Sequence, residues 1–262
     1  MKKKLKIAAL ISGNGTNLQA VIDSCIKKEI NAKIVCVGAD KFDAFGLKKA
    51  EKYNIPTFIT DYKKIIADKN IENKLPTDFN IEKILSLQKL FKIKNKKTEL
   101  FFKTRAVAEA DLLNKLDKFK FDLIILAGFM RKLTPYFIDK INTEPNKPKI
   151  MNIHPALLPA FAGTNGYKDT FEYGAKIGGC TVHFVDYGED TGAIIAQKSF
   201  LILEDDTLET IKKKGLKVEW ELYTKAIKFF EEGKLKLAKR NAVGCGGFKI
   251  KREIVKISER MV

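Results

Sequence analysis

The fold class is decided by a stretch near the N-terminus, Leu5-Lys6-Ile7-Ala8-Ala9-Leu10-Ile11-Ser12-Gly13-Asn14-Gly15. A short apolar run that ends in a glycine-rich turn is typical of a buried strand that leads into a helix. Apolar residues then recur at helical spacing, at Leu18, Val21, Ile22, Cys25 and Ile26. The stretch therefore predicts the strand, loop and helix that begin a βαβ unit.

The first half of the chain repeats this alternation of strand and helix. Apolar runs predict further strands at residues 33–39, 55–59, 123–127 and 150–153. Because βαβ units are right-handed, we expect an α/β fold with an open, mostly parallel twisted sheet and helices on both faces. The second half predicts two antiparallel strands joined by a polar loop at 186–192, and then a long helix that Thr207 caps.

Two segments do not fit the α/β pattern. Residues 63–100 are rich in Lys and Asn and indicate an insertion, which we interpret as a solvated, partly mobile excursion with one amphipathic helix at 84–91. Residues 234–262 are basic and are broken by Gly244-Cys245-Gly246-Gly247. We therefore divide the chain into a domain at 1–233, which carries the insertion at about 63–100, and a basic C-terminal extension at 234–262.

The composition argues against several protein classes. The 262 residues include 49 basic and 32 acidic side chains, for a net charge of +17. The lysines are dispersed and lack interleaved aromatic residues, so we assign them to solvated faces rather than to a nucleic-acid surface, although they would attract small anions. No apolar run reaches the ~18 residues of a membrane span, and the N-terminal run lacks a signal-cleavage pattern, so we expect a cytoplasmic protein.

The cysteines do not form a recognisable ligand set. Cys25, Cys36, Cys180 and Cys245 are scattered, and none belongs to a Cys-x-x-Cys pair. We therefore expect neither a structural zinc site nor a disulfide framework.

The glycine-rich loop at 12–17 is a candidate phosphate site. Such a loop, placed before a helix, can direct backbone N–H groups at one phosphate. It is not a Walker loop, and it departs from the dinucleotide-binding pattern because Leu18 stands where the third glycine would be. The residues alone are equally compatible with a tight turn in which Thr16 or Asn17 caps the helix.

Three polar residues could form a catalytic group. Asn152 and His154 are two apart on a predicted strand end, so their side chains share one face at the sheet edge where α/β folds bind ligands. Asn152 could donate to a developing oxyanion, and His154 could move a proton near neutral pH. Asp190 is the candidate carboxylate that orients the imidazole.

Each of these residues also has a structural interpretation. His154 could bind backbone at the strand end, Asn152 could cap a turn, and Asp190 could be a turn residue. The chain has one other histidine, His183, which lies in an apolar run. We interpret His183 as a hydrogen-bonded core histidine rather than as a catalyst.

Five motifs, in order, resemble the folate-dependent phosphoribosylglycinamide formyltransferases of purine synthesis. They lie at residues 11–20, 43–47, 126–131, 152–159 and 181–185, and include Ser12-Gly13-Asn14-Gly15, Gly128-Phe129-Met130-Arg131 and Asn152-Ile153-His154-Pro155. The likeness runs from about residue 4 to residue 234, apart from the insertion. It implies a Rossmann-like formyltransferase fold.

The resemblance also implies an activity and a set of site residues. The reaction would move a formyl group from 10-formyltetrahydrofolate, as co-substrate, to the glycyl amine of glycinamide ribonucleotide, without a metal. Asn152, His154 and Asp190 would be catalytic. The ribonucleotide would contact Gly15, Thr16, Asn17 and Glu219, and the folate would lie along loop 186–190 and near Arg105, Met130, Arg131, Lys132, Leu133 and Asn152. The partners would be small molecules, with no nucleic acid and no membrane, and the chain would be a monomer or homodimer.

Departures from the family pattern and two alternative functions also follow from the sequence. Trp220 stands where the family usually has His, and Leu216 stands where a polar substrate contact is common.

Methionyl-tRNA formyltransferase is an alternative that the charge would suit, but that family has a further β-barrel domain, for which the residues after Gly233 are too few. The other alternative is a non-catalytic module that binds formyl-folate or a nucleotide.

Overall fold

The computed structural model describes residues 3–243 and 249–258. Its main sheet has the strand order β3-β2-β1-β4-β5-β6-β7. The strands β1 to β5 pair in parallel, while the pairs β5–β6 and β6–β7 are antiparallel. The open, mostly parallel sheet with a later antiparallel part is thus confirmed. The strand bounds are β1 (Leu5–Ile11), β2 (Ala32–Ala39), β3 (Thr57–Ile59), β4 (Leu123–Leu126), β5 (Ile150–His154), β6 (Ile177–Phe184) and β7 (Ile194–Leu201).

Helices cover both faces of this sheet, as predicted. On one face α1, α2 and α8 pack against side chains such as Ile7 and Ile11 of β1. On the other face α3, α5 and α6 pack against Ala8 and Leu10 of the same strand, because successive side chains point to opposite faces. The helix bounds are α1 (Thr16–Ile26), α2 (Phe45–Lys52), α3 (Tyr62–Ile66), α4 (Ile81–Leu87), α5 (Lys96–Leu116), α6 (Pro135–Ile141), α7 (Gly166–Glu172) and α8 (Leu208–Glu231).

The long helix α8 begins where the sequence predicts. Thr207 is its N-cap, and its side chain accepts the backbone N–H of Thr210, whose own hydroxyl accepts the N–H of Thr207. This reciprocal pair of hydrogen bonds satisfies two N–H groups that have no partner inside the helix. The cap therefore defines where α8, the helix that carries Glu219, begins.

The segment at 63–100 has more regular secondary structure than the prediction of a partly mobile excursion with one helix included, although most of its residues are exposed or half-buried. It contains most of α3, a 3₁₀ helix at Ile71–Lys74, α4 and the start of α5. Ile71, Ile84 and Thr98 are buried within it. The amphipathic helix expected at 84–91 is instead α4, which ends at Leu87. Charged residues surround these few buried ones in the sequence, so the composition of the segment does not reveal that it packs against the core.

The basic tail contributes a second, two-stranded sheet. Its strands β8 (Leu235–Val243) and β9 (Lys249–Ile257) are antiparallel. Leu235 and Val255 pack against the core cluster under α8, so the hairpin is attached to the main body. The break predicted at Gly244-Cys245-Gly246-Gly247 lies outside the described residues. Within the described ranges, no helix is long and apolar enough to cross a membrane.

Candidate active site

A cavity of about 250 Å³ opens at the carboxyl ends of the central strands. Open α/β sheets bind ligands at this edge, where loops that follow neighbouring strands meet. The segments after β4 and β5, the loop between β6 and β7, and side chains of α1 and α8 form its wall. Its polar lining residues include Asn17, Arg131, Lys132, Asn152, His154, Thr164, His183, Asp186, Glu189, Asp190 and Glu219.

His154 and Asp190 meet at the centre of this cavity. The His154 Nδ1 atom lies 3.2 Å from Asp190 Oδ2. The other ring nitrogen, Nε2, lies 2.8 Å from the backbone carbonyl of Phe161, to which its N–H donates. Asp190 has a left-handed backbone (φ 53°) and accepts the Gly163 N–H at 2.9 Å, so the carboxylate is itself held. The imidazole is thus fixed by both of its nitrogens.

Asn152 and His183 form a second pair beside the first. They are register partners on β5 and β6, and Asn152 Nδ2 lies 3.1 Å from His183 Nε2. The His183 Nδ1–H donates to the Phe184 carbonyl at 2.9 Å, so Nε2 is left to accept the Asn152 amide. His183 Nε2 is also 3.5 Å from Asp190 Oδ1. His183 is buried and hydrogen-bonded, as expected, but it faces the cavity rather than the core.

Burial and charge set the ionisation of this group. Burial opposes ionisation of Asp190, but the neighbouring His183 and His154 side chains and the Gly163 N–H together hold its pKa below the ordinary value. Burial lowers the pKa of His154, although the Asp190 carboxylate and the Phe161 carbonyl oppose this. The site therefore favours an ionised Asp190 carboxylate beside a His154 imidazolium that releases its proton more readily than a free histidine does.

One end of the cavity is built by Asn17 and Glu219, which are 202 residues apart in sequence. The Asn17 amide donates to Glu219 Oε2 at 2.6 Å, and the Tyr167 hydroxyl donates to Glu219 Oε1. Burial raises the pKa of Glu219. Residue 215 must be glycine here, since a Cβ on Gly215 would overlap the Tyr167 ring. The Asn17 Oδ1 atom is buried and has no hydrogen-bond partner among the described residues.

The loop before α1 does not have the cap that a tight turn would supply. The N-cap is Gly15, in the left-handed region at φ 63°, and no side chain caps the helix. Asn17 is bound to Glu219 instead. The first N–H groups of α1 therefore lack a side-chain acceptor at this end of the helix. Gly15 and Thr16 are not among the residues that line the cavity, whereas Asn17 is.

The opposite end of the cavity is lined by Met130, Arg131, Lys132 and Leu133. The Met130 N–H donates to Ser12 Oγ at 2.8 Å, and Arg131 Nε donates to the buried Asp40 carboxylate at 2.5 Å. Lys132 pairs with Glu189 across the cavity mouth at 2.6 Å. These contacts hold the segment against loops that follow three other strands.

Arg105 was predicted to contact the folate together with residues 130–133, but unlike them it does not line the cavity. Its guanidinium lies 4.3 Å from the centre of the Phe101 ring. Burial and the charge of Arg131 both lower the pKa of Arg105, so the two guanidinium groups are near one another. Leu216 and Trp220 also lie outside the lining.

The segment at 63–100 contacts the loop that carries Asp190. The Lys89 N–H donates to the Tyr187 carbonyl at 2.9 Å, and Lys89 Nζ pairs with Asp186 at 3.0 Å. Both Asp186 and Asp190 line the cavity. The segment therefore forms part of the structure that supports the cavity rim.

Residues of this site that the sequence did not identify include His183 as a wall residue, Tyr167 and Asp40. The register of β5 against β6 would have placed His183, because an antiparallel partner of Asn152 must share its face. No sequence pattern marked Tyr167 or Asp40, because only the tertiary fold brings Tyr167 to Glu219 and Asp40 to Arg131. No group of three His, Cys, Asp or Glu residues in the described part of the chain could hold a metal ion.

Comparison with known proteins identifies the family of this chain. The formyl transferase family model matches residues 5–227. The chain belongs to the formyl transferase family. It is 38% identical to the phosphoribosylglycinamide formyltransferase of Haemophilus influenzae over 232 residues, which cover 88% of this chain and 90% of that protein.

Other relatives extend the likeness to structure. The chain is similar to the crystal structure of glycinamide ribonucleotide transformylase 1 from Symbiobacterium toebii, with a TM-score of 0.70, 31% identity and coverage of 98% of this chain and 95% of that one. It is also 32% identical to the trifunctional purine biosynthetic protein adenosine-3 of Bos taurus, over 92% of this chain but only 20% of that protein. The formyltransferase fold inferred from the sequence motifs is confirmed.

Proposed function

We propose that this formyltransferase moves a formyl group from 10-formyltetrahydrofolate to the amine of glycinamide ribonucleotide, a step of de novo purine synthesis. The observation that carries the proposal is the contact of His154 with Asp190, beside Asn152, in a cavity with two chemically different ends. Relatives of similar length are named for this substrate.

The ribonucleotide is assigned to the end of the cavity at α1 and α8. The N–H groups that begin α1, near Gly15 and Thr16, and the positive end of the helix dipole suit its phosphate. Asn17 lines this end of the cavity, so its side-chain amide is close to the proposed substrate. Glu219, fixed by Asn17 and Tyr167, offers a hydrogen-bond acceptor.

The formyl donor is assigned to the end lined by Met130, Arg131, Lys132 and Leu133. Met130 and Leu133 provide apolar surface for a flat ring system, and the cationic side chains provide partners for carboxylates. Arg105 lies near Arg131 and adds positive charge at this end. Its role in donor binding is electrostatic, because its side chain is not part of the lining.

The proposed chemistry is acyl transfer through a tetrahedral intermediate. The substrate amine forms a bond to the formyl carbon, and the carbonyl oxygen becomes an oxyanion that Asn152 and protonated His154 stabilise. The bond from the formyl carbon to the folate nitrogen then breaks. The proton that the amine loses moves to that nitrogen by way of His154 or a water held by Asp190. To stabilise the reacting oxygen, the His154 Nε2–H must break its hydrogen bond to the Phe161 carbonyl and donate to that oxygen instead.

We also propose that the chain works in the cytoplasm, as a monomer or homodimer, on small-molecule substrates alone. Both ends of the cavity and all three proposed catalytic residues come from one chain. The proposed reaction needs only a proton relay and hydrogen-bond donors, and assigns no step to a metal.

The test is the substrate dependence of donor consumption. Purified protein should convert 10-formyltetrahydrofolate to tetrahydrofolate when glycinamide ribonucleotide is present, and its Asp190→Asn variant should lose most of that turnover. Parallel reactions should contain initiator methionyl-tRNA or no acceptor. Turnover with the tRNA instead of the ribonucleotide would overturn the proposed substrate. Donor binding without turnover on any acceptor would favour a non-catalytic binding module.

A further inference from the structure

The buried carboxyl group of Glu109 has no part in the proposed chemistry. It lies on α5, is 0% exposed, and is surrounded by the apolar cluster that α5 and α6 form with the sheet. Burying an acid in such surroundings costs free energy unless its oxygens find hydrogen-bond donors. The donors it finds belong to the short segment that follows the cavity lining.

Glu109 binds the N-terminus of α6. Its Oε1 accepts the backbone N–H of Thr134 at 2.8 Å, and its Oε2 accepts the Thr134 hydroxyl at 2.5 Å. The backbone N–H of Phe137 also favours the ionised carboxylate. Thr134 is the N-cap of α6, yet its side chain does not cap the helix. The side chain of Glu109, on another helix, thus supplies the hydrogen-bond acceptor at the start of α6 that the Thr134 side chain does not supply.

Thr134 is the residue directly after the lining segment 130–133. That segment is held at its start by Ser12, through the Met130 N–H, and next by Asp40, through Arg131. Lys132 reaches only an exposed partner, Glu189. Leu133 packs in the buried apolar cluster, and Glu109 provides the buried hydrogen-bonded attachment directly after it, so Glu109 fixes the backbone position at the end of the segment.

We propose that Glu109 is a positioning residue for the formyl donor: through Thr134 it fixes the donor end of the cavity and leaves the ribonucleotide end untouched. The inference rests on the proposed function. Asn17, Tyr167 and Glu219 belong to α1, α7 and α8, and the hydrogen bonds that join these three side chains do not involve Glu109 or Thr134. Replacement of Glu109 should therefore weaken binding of the formyl donor and leave binding of the ribonucleotide unchanged.

The decisive variants are Glu109→Leu and Glu109→Gln. Leucine suits the apolar surroundings, so the variant should fold, but it leaves the Thr134 N–H without an acceptor. The Gln side chain keeps a carbonyl oxygen for that N–H. We expect Glu109→Leu to raise the KM for 10-formyltetrahydrofolate and the Kd for tetrahydrofolate about tenfold, with kcat and the ribonucleotide Kd within about twofold of wild type. Glu109→Gln should restore most of the donor affinity.

Controls separate this role from general stability and from the proposed function. Asp111→Asn, on the same helix and paired only with Lys115 in the described contacts, should change neither affinity. If Glu109→Leu does not fold, Thr134→Val takes its place and should raise the donor KM several-fold. Unchanged donor affinity in a folded variant, or equal loss of both substrates, would overturn the role of Glu109. A wild-type protein that binds tetrahydrofolate but does not turn over would instead overturn the proposed function.

Discussion

Asn152 and His183 face each other across β5 and β6, with Nδ2 and Nε2 3.1 Å apart. Since the His183 Nδ1–H is donated to the Phe184 carbonyl, the Nε2 lone pair points at the amide. This contact selects the orientation in which Asn152 presents an N–H group to the cavity. The histidine thus prepares the amide for the oxyanion that the proposed reaction generates.

The first prediction concerns this pair. His183→Leu should lower kcat about tenfold because the Asn152 amide loses the acceptor that orients it. The ribonucleotide Kd should stay at the wild-type value, since neither side chain is hydrogen-bonded to Asn17 or Glu219. Steady-state kinetics and equilibrium titration measure the two quantities. His183→Gln, which keeps an acceptor, should recover part of the rate; a Leu variant as fast as wild type would contradict the prediction.

The second prediction concerns His154. His154→Ala should lower kcat by a factor of about 10² to 10⁴, the usual worth of a positioned acid–base group. The ribonucleotide should still bind, because its proposed contacts lie at α1 and α8. Single-turnover kinetics together with ribonucleotide titration test this. Weakened binding combined with unchanged turnover at saturation would show that His154 is a binding residue instead.

The placement of Asn152 and His154 at the sheet edge was predictable from the sequence because it depends on local geometry. The two-residue spacing of Asn152 and His154 on a strand puts both side chains on one face, and the end of that strand at His154, just before Pro155, puts them at the sheet edge. Asp190 followed from the need for a carboxylate and from the family resemblance. The structure places it 3.2 Å from His154, although its catalytic role remains a proposal.

The rest of the site depends on contacts between helices and strands that are distant in the sequence and that no sequence pattern predicts. Tyr167 reaches Glu219 only because α7, a helix that no apolar periodicity marked, packs on α8 at Gly215. The packing of residues 63–100 was missed because single buried side chains such as Ile71 and Ile84 carry its contacts without a repeating pattern.

The third prediction tests the ribonucleotide end. Tyr167→Phe removes the hydroxyl that donates to Glu219 and leaves one buried carboxylate oxygen without that partner. We expect a roughly tenfold weaker ribonucleotide Kd and an unchanged donor KM. Tyr173→Phe is the matched control, because Tyr173 lies just after α7 and is 81% exposed. Equal effects of the two variants would argue against a specific role for the Tyr167 hydroxyl.

The fourth prediction is a pH dependence of stability that originates at Glu109. Burial raises the pKa of this carboxyl group from the ordinary 4.5 to about 8, against the opposing hydrogen bonds of Thr134 and the charge of Arg105. Between these two pH values the folded state holds a proton that the unfolded state releases. The free energy of unfolding therefore falls as the pH rises through this range, by at most about 1.4 kcal/mol per pH unit.

Glu109→Gln removes the titration but keeps an acceptor for the Thr134 N–H. The stability of the variant relative to wild type should therefore increase steadily from pH 5 to pH 8, as measured by urea unfolding at constant ionic strength. Two other titratable groups near Glu109, Tyr62 and Tyr136, do not titrate in this window, since burial raises the pKa values of both tyrosines above the ordinary 10. Asp111→Asn should show no such trend. A difference between wild type and Glu109→Gln that is constant with pH would mean that the carboxyl group is already ionised in the folded protein at pH 5.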